Sequence, residues 1–253
     1  DTGTRTLGAS HWKLELLGGS PTGSRSLQWG DTARVDFGVP SLATLAGDPS
    51  LADPIAAVGR HDELHGLDDR CADTVPGGAV DAVTLGPPVP RPGQVFGIGL
   101  NYRDHAGESG MDLPSVPMVF TKFPSCIAGP TAEVPLSGTL VDWEVEIVAV
   151  IGREARRVPT EDAWDVVAGL TLGQDVSDRA VQLADQPPQF SMGKSFPAFG
   201  PIGPAIVPTD AFAYRDDIGL WCELDGARMQ DGRTSDLIFS IRRVQGVAAT
   251  TCA

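Results

Sequence analysis

The sequence predicts an α+β protein, and three observations lead there. Strand-like apolar runs outnumber helical patterns, the two kinds do not alternate along the chain, and Asp225-Gly226 joins two strand-like runs as a hairpin turn. A doubly wound α/β sheet would need the alternation that is missing. With 253 residues, 42% of them hydrophobic, the chain is long enough for one large domain or for a small domain and a larger one. The 30 Gly and 21 Pro imply many turns without reaching low-complexity composition.

Residues 1–30 are rich in Gly, Ser and Thr with little periodicity, and are expected to be loosely ordered. A strand is predicted over 32–39, and short helical patterns follow over 41–46 and 50–58. Residues 60–76 are charged and aperiodic, and GPPVPRPG at 86–93 reads as a stiff linker. The pattern then tightens into strands over 94–100, 118–122 and 141–152. Thr160 is the expected N-cap of a helix that carries Glu161 and Asp162 in its first turn and ends before Gly169. A strand over 170–176 precedes a short helix near Ser177, and runs over 218–224 and 227–230 flank the hairpin turn. The linker divides the chain into a small N-terminal region, 1–86, and a larger domain, 87–253. No internal repeat is found.

The formal charge of −14 argues against nucleic acid as a partner, because a phosphate backbone needs a basic face. The longest apolar runs, 95–100 and 147–151, are strand-length, which argues against a membrane span. An acidic protein that handles a small anion needs a metal cation or a few local Lys or Arg to hold it. Cys71, Cys126, Cys222 and Cys252 form no CxxC pair, and thiols scattered in this way fit a reducing compartment. The first ten residues lack the basic start and apolar core of a signal peptide, so the cytoplasm is the expected location. They also lack Met, so the start reads as processed or incomplete.

The run VDWEVEIVAVIG at 141–152 is the most informative. As a strand it puts Glu144 and Glu146 on one face that continues apolar, with Trp143, Val145 and Ile147 on the other. Two carboxylates so placed repel, so that one takes a proton or a cation sits between them; a solvated strand end is the plainer alternative. Asp175, in GQDVS, lies near the end of a second strand, either as a third carboxylate or as an ordinary helix-start residue. Three carboxylates without a His/Cys cluster suit Mg²⁺ or Mn²⁺ better than zinc. In GIGLNYRDHAGE, His105 and Glu108 stand at i and i+3, either as a general base held in one tautomer or as a surface ion pair. The same stretch holds the chain's single Asn, Asn101, and one of its two Tyr, Tyr102. Lys occurs three times, and Lys194 could clamp an anionic substrate or a developing oxyanion; Lys122 in FTKFPS is a further candidate. No GxSxG elbow exists and GKS lacks its preceding Gly, so a serine hydrolase and a Walker loop are both disfavoured.

Six segments occur in order: PRPGQVFGIGLNYRDHAGE, MVFTKFPSCIAGP, VDWEVEIVAVIGRE, GQDVSDR, GKSFPAFGPIGP and DGRTSDLIF. As a set, over about Val89 to Ile241, they resemble the fumarylacetoacetate hydrolase family. The resemblance implies a mixed β-roll with peripheral helices, usually dimeric, behind a small variable N-terminal domain. It implies Mg²⁺ or Mn²⁺ held by Glu144, Glu146 and Asp175, and His105 with Glu108 as a water-activating dyad. Lys194 and Gln182 would contact substrate, Lys122 and Arg179 would stand in supporting shells, and Tyr102 completes the expected substrate-binding set. The implied chemistry is C–C cleavage of a 2,4-dioxo acid to a 2-oxo acid and a carboxylic acid, by a cytoplasmic homodimer. A decarboxylase, tautomerase or dehydratase could use the same scaffold.

Two departures accompany the resemblance. Ala180 and Pro197 stand where members often carry acidic residues. After Ile241 a PGD turn and a GTP-like segment are expected, and RRVQGVAATTCA stands there instead. That tail reads as a frameshift or truncation, with an inactive relative as the corresponding alternative.

Overall fold

The computed structural model describes residues 58–60, 86–103 and 113–244, together with the backbone of three short strands before them. Those three are β1 (Thr6–Leu7), β2 (His11–Glu15) and β3 (Ser26–Gln28). Residues 1–30 therefore contain more strand than their composition suggests. HWKLE alternates polar and apolar residues, and β2 pairs antiparallel with a strand at 219–224 far along the chain. The strand expected over 32–39 and the helical patterns at 41–46 and 50–58 lie outside the described residues, apart from Val58 in a short helical turn.

The expected strands at 94–100 and 118–122 appear as β4 (Phe96–Gly99) and β5 (Met118–Thr121), which pair antiparallel as a two-stranded sheet. Short strands β6 (Ile127–Ala128) and β7 (Val134–Pro135) follow, and β7 pairs with β1. The run 141–152 is two strands, not one: β8 (Val141–Asp142) and β9 (Val145–Ile151). Between them the ladder is interrupted, because the Asp142 carboxylate accepts the Trp143 N–H at 3.0 Å and side chains take the next two amides.

β10 (Val167–Gln174) is the centre of a mixed sheet ordered β6-β12-β10-β9, in which β12 (Gly200–Val207) runs antiparallel to β10 and parallel to β6. All eight residues of β10 are buried, as expected of a strand flanked by neighbours and covered on both faces. Gly169 is required there: a Cβ would lie 2.5 Å from the Val207 carbonyl oxygen. The segment ahead of β10 is a 3₁₀ helix over Thr160–Val166, shorter than the predicted helix. Its N-cap is Pro159, not Thr160, because the Pro159 carbonyl accepts the Asp162 N–H at 3.1 Å.

The short helix near Ser177 begins two residues later. Ser177–Asp178 form β11, paired with β8, and α1 spans Arg179–Gln182 with the Asp178 carboxylate accepting the Val181 N–H at 3.1 Å. A second one-turn helix, α2, covers Phe190–Gly193. The predicted hairpin is present as β13 (Gly219–Leu224) and β14 (Ala227–Arg233), turned by Asp225 at φ 51° and Gly226 at φ 78°. It forms a four-stranded antiparallel sheet in the order β14-β13-β2-β3.

The main core lies between β9–β10 and β13, where Val145, Trp164, Leu170, Leu172, Phe212, Ile218 and Leu220 pack together. A second cluster of Cys126, Val134, Val176 and Phe199 sits under the end of β10. Leu170 is fully buried at the centre of the main core. Leu170→Ala is expected to cost about 2–5 kcal/mol in a urea unfolding titration, through lost transfer energy and an unfilled cavity. A cost below about 1 kcal/mol would show that β10 is not the centre of the packing.

Candidate active site

The antiparallel register of β9 and β10 builds the site. Glu146 is opposite Gly173 and Val145 opposite Gln174, and one step on, the Asp175 N–H donates to the Glu144 carbonyl at 2.8 Å. Residues directly opposite in a ladder project from the same face, as do residues two apart on one strand. Glu144, Glu146 and Asp175 thus share one face, which the spacing predicts for Glu144 and Glu146. Sequence spacing alone could not supply the cross-strand step.

Three cations converge on these carboxylates. Lys194 Nζ lies 2.7 Å from Asp175 Oδ2 and 2.9 Å from Glu144 Oε2. Lys122 Nζ lies 2.6 Å from Asp175 Oδ1 and also donates to the Lys194 carbonyl. Arg179 reaches Glu144 Oε1 at 2.6 Å and Asp142 Oδ2 at 2.8 Å, and its Nη1 donates to Gln182 Oε1 at 2.9 Å. Lys194 and Lys122 are only 2% and 6% exposed, so these contacts are made with little water to screen them. Burial by itself would lower the Arg179 pKa, but Glu144 and Asp142 outweigh it and hold the guanidinium above its ordinary value.

Local packing explains how two distant lysines meet one aspartate. The end of β5 is tied to α2 and the residues after it: the Phe123 N–H donates to Ser195 Oγ at 2.9 Å, and the Thr121 and Ser191 hydroxyls are 3.2 Å apart. α2 in turn sits against α1 because Gly193 has no side chain; a Cβ there would lie 2.8 Å from the Gln182 backbone. Gly193→Ala is expected to push α1 and α2 apart, costing about 1–3 kcal/mol in thermal unfolding and displacing Lys194. Unchanged stability would mean that the two turns are not in register-setting contact.

Glu146 differs from its neighbours. It is half-buried, and among the described residues no ion pair reaches it. Burial first, then the charges of Glu144 and Asp175, push its carboxyl well above the usual carboxylate range, against a smaller opposing pull from Lys194. With all four carboxylates (Asp142, Glu144, Glu146 and Asp175) ionised against three cations (Lys122, Arg179 and Lys194), the cluster lacks one positive charge, which a proton on Glu146 or a bound cation would supply. An all-oxygen donor set with that deficit fits a hard divalent ion. Among the described residues no three His, Cys, Asp or Glu side chains stand close enough to clasp a metal unaided, and the Lys194 ammonium bridges Glu144 and Asp175.

Tyr102 comes within electrostatic reach of Glu146 from another element. Leu100, at φ 53°, turns the chain off β4, and Asn101 then fastens it to residues 238–239. Asn101 Nδ2 donates to the Phe239 carbonyl at 3.0 Å, and its Oδ1 and backbone carbonyl accept the Phe239 and Ile238 N–H groups at 2.8 and 2.7 Å. The single Asn of the chain is therefore a splice between two segments, a role its rarity flagged but did not define. Tyr102 packs against the main core, and its hydroxyl is buried without a hydrogen-bond partner. Burial, then Glu146 and Asp236, raise its phenol pKa.

Of the residues expected from the sequence, Lys122, Glu144, Glu146, Asp175, Arg179, Gln182 and Lys194 are brought together, with Tyr102 beside them. His105 and Glu108 lie outside the described residues. Asp142, Gln174 and Gln230 escaped the sequence reading. Gln174 alternates with Asp175 along its strand, so periodicity points it to the other face; Asp142 has the parity of Glu144 and Glu146 but lies in β8, beyond the break, and Gln230 joins only through the hairpin.

Residues 94–251 match the family profile described as fumarylacetoacetate (FAA) hydrolase C-terminal, which continues past Ile241, where the resemblance was expected to stop. A "putative hydrolase" of Burkholderia ambifaria is 40% identical over 168 residues, 66% of this chain and 59% of its own length. The chain thus spans about three-fifths of that relative. The crystal structure of a "putative HpcE protein" from Mycobacterium smegmatis superposes with a TM-score of 0.75 at 40% identity, covering 94% of this chain and 81% of that one. A 5-carboxymethyl-2-hydroxymuconate delta-isomerase from the same organism gives a TM-score of 0.57 at 33% identity, over 66% of this chain and 65% of its own. Six motifs in order, a face of three carboxylates with two buried lysines, and a profile match over well more than half its length place this chain in the fumarylacetoacetate hydrolase family.

Proposed function

We propose that this chain carries the active site of a divalent-metal-dependent hydrolase that splits a C–C bond in a 2,4-dioxo acid, yielding a 2-oxo acid such as pyruvate and a carboxylic acid. The single observation that carries this reading is the shared face of Glu144, Glu146 and Asp175, short of one positive charge and rimmed by buried Lys194. The family's typical metal dependence and the hydrolase name of the Burkholderia relative add to it.

Glu144, Glu146 and Asp175 would hold Mg²⁺ or Mn²⁺, which when bound supplies a Lewis acid for the carboxylate and 2-oxo oxygens of the substrate. Arg179 fixes Glu144 from behind, and Gln182, whose carbonyl oxygen is taken by Arg179, offers its amide N–H to the substrate. His105, oriented by Glu108, takes a proton from water, and the oxygen adds to C4. Lys194 donates to the negative oxygen that develops there; one such donor in a dry site is worth about 3 kcal/mol. The C3–C4 bond then breaks with its electron pair passing to C3, which is reprotonated as the 2-oxo acid leaves. Tyr102 and Lys122 keep the walls of the site in place.

A second reading is favoured by the 33% identity to an isomerase. Without water attack, the same base would move a proton between carbons of a 2-oxo acid, and an oxaloacetate-like substrate would lose CO₂ instead. Incubation with an acylpyruvate series and Mg²⁺, followed by proton NMR, separates these outcomes. Pyruvate plus a second acid supports the hydrolase; an isomer or CO₂ replaces it with the second reading. No turnover from a folded chain that binds Mg²⁺ contradicts both.

The expected assembly, a homodimer, is a proposal as well. Leu113, Val116, Met118, Val119 and Phe123 are exposed apolar side chains on and around β5, a surface suited to burial against a second copy. Sedimentation equilibrium reads it directly. Among the described residues no helix is long and apolar enough to cross a membrane.

A further inference from the structure

In a regular antiparallel pair, Glu144 and Asp175 would exchange two backbone hydrogen bonds. Only one is made: the Asp175 N–H donates to the Glu144 carbonyl at 2.8 Å. The reciprocal acceptor, the Asp175 carbonyl, is occupied by the Ser177 hydroxyl at 2.9 Å. The Glu144 N–H donates instead to Gln174 Oε1 at 2.9 Å. The next amide, on Val145, faces the open side of β9, the edge strand of its sheet, and donates to Gln230 Oε1 on β14 at 2.8 Å. Two glutamine side chains from two different sheets thus replace the strand partners missing at the break between β8 and β9.

This matters because Glu144 is where the carboxylate cluster is anchored. A free strand end would fray, and Glu144 would lose its place opposite Asp175. Gln174 is buried, and its Nε2 has no partner, a cost of about 1–3 kcal/mol that a purely structural position would shed by substitution. An apolar residue would fill the same space but could not accept the Glu144 amide.

We propose that Gln174 and Gln230 are positioning residues that hold Glu144 in cation-binding geometry by accepting consecutive backbone amides. The inference rests on the reading of Glu144 as a ligand of a divalent cation. Residues that orient ligands typically change metal affinity by 10–100-fold when removed.

The test is calorimetric titration of Mg²⁺ into the parent chain, Gln174→Leu, Gln230→Leu, Gln230→Glu and Thr234→Val. Thr234 accepts the Ile218 N–H at 2.8 Å and is buried away from the cluster, so its loss removes a comparable bond with no role in the site. The Leu variants are expected to bind Mg²⁺ at least tenfold more weakly. Gln230→Glu, which keeps the accepting oxygen, should stay within threefold, and Thr234→Val should match the parent. Leu variants that bind like the parent, or an equal loss in Thr234→Val, would overturn the proposal while leaving the cation site intact. A folded parent that binds no Mg²⁺ would overturn both. Amide exchange on the parent needs no variant: slow exchange at Glu144 and Val145 is expected, and exchange as fast as in exposed loops would overturn the proposal even if a Leu variant failed to fold.

Discussion

Glu146→Gln is expected to abolish Mg²⁺ binding while making the metal-free chain more stable, by roughly 1 kcal/mol at neutral pH. The two effects share one cause. Glu146 is held half-buried beside Glu144 and Asp175 with no cation of its own, and its pKa is raised chiefly by burial. Its native pKa lies above the ordinary value of 4.5, so between those two pH values the native state binds more protons than the unfolded state. Stability of the metal-free chain therefore falls as pH rises from about 4.5 through the native pKa, and stays reduced above it. Gln removes that dependence. Urea titrations in chelator at two pH values should show parent and variant alike near pH 4.5 and separated at neutral pH. A variant less stable than the parent at neutral pH would mean that Glu146 is compensated within the chain.

Lys194→Met has the larger effect on both stability and turnover. Lys194 is the bridge between Glu144 and Asp175, and removing one partner of a buried ion pair typically costs about 3–5 kcal/mol, because the remaining charges stay buried. Lys122 and Arg179 still hold one oxygen of Asp175 and one of Glu144, so the lower end is expected. Mg²⁺ should restore more melting temperature to this variant than to the parent, since it supplies the missing charge. Turnover should not return with it: loss of an oxyanion donor costs about 10²–10³ in rate. Recovery of full activity with metal would remove Lys194 from the chemistry and leave it as a counter-ion.

The candidate site was legible wherever chemistry follows strand period. Glu144 and Glu146, two apart, fall on one face by strand alternation alone. Asp175 could be joined to them only as a type of residue at a strand end, because its position depends on the register of β10 against β9. Lys122 and Lys194 were marked by rarity, but their meeting on one carboxylate depends on Gly193 allowing α1 and α2 to touch. The fold was legible at the hairpin, where Asp225-Gly226 fixes a turn with two positive φ angles, and at β4 and β5. It was misread over 141–152, where a continuous strand pattern hides a break. The break arises from side-chain acceptors, Asp142, Gln174 and Gln230, that periodicity does not register. Thr160 was misread for a related reason: Pro159, with its fixed φ, supplies the carbonyl that starts the turn.

Glu144, Glu146 and Asp175 are proposed as a divalent-cation site serving a 2-oxo acid. Calorimetric titration of Mg²⁺, alone and with oxalate as a mimic of the enol form of pyruvate, tests it most directly on the parent and on Glu146→Ala. The parent is expected to bind Mg²⁺, oxalate to tighten that binding, and Glu146→Ala to show neither effect. A folded parent that binds no Mg²⁺, or a Glu146→Ala variant that binds it as well as the parent, would remove the three-carboxylate site.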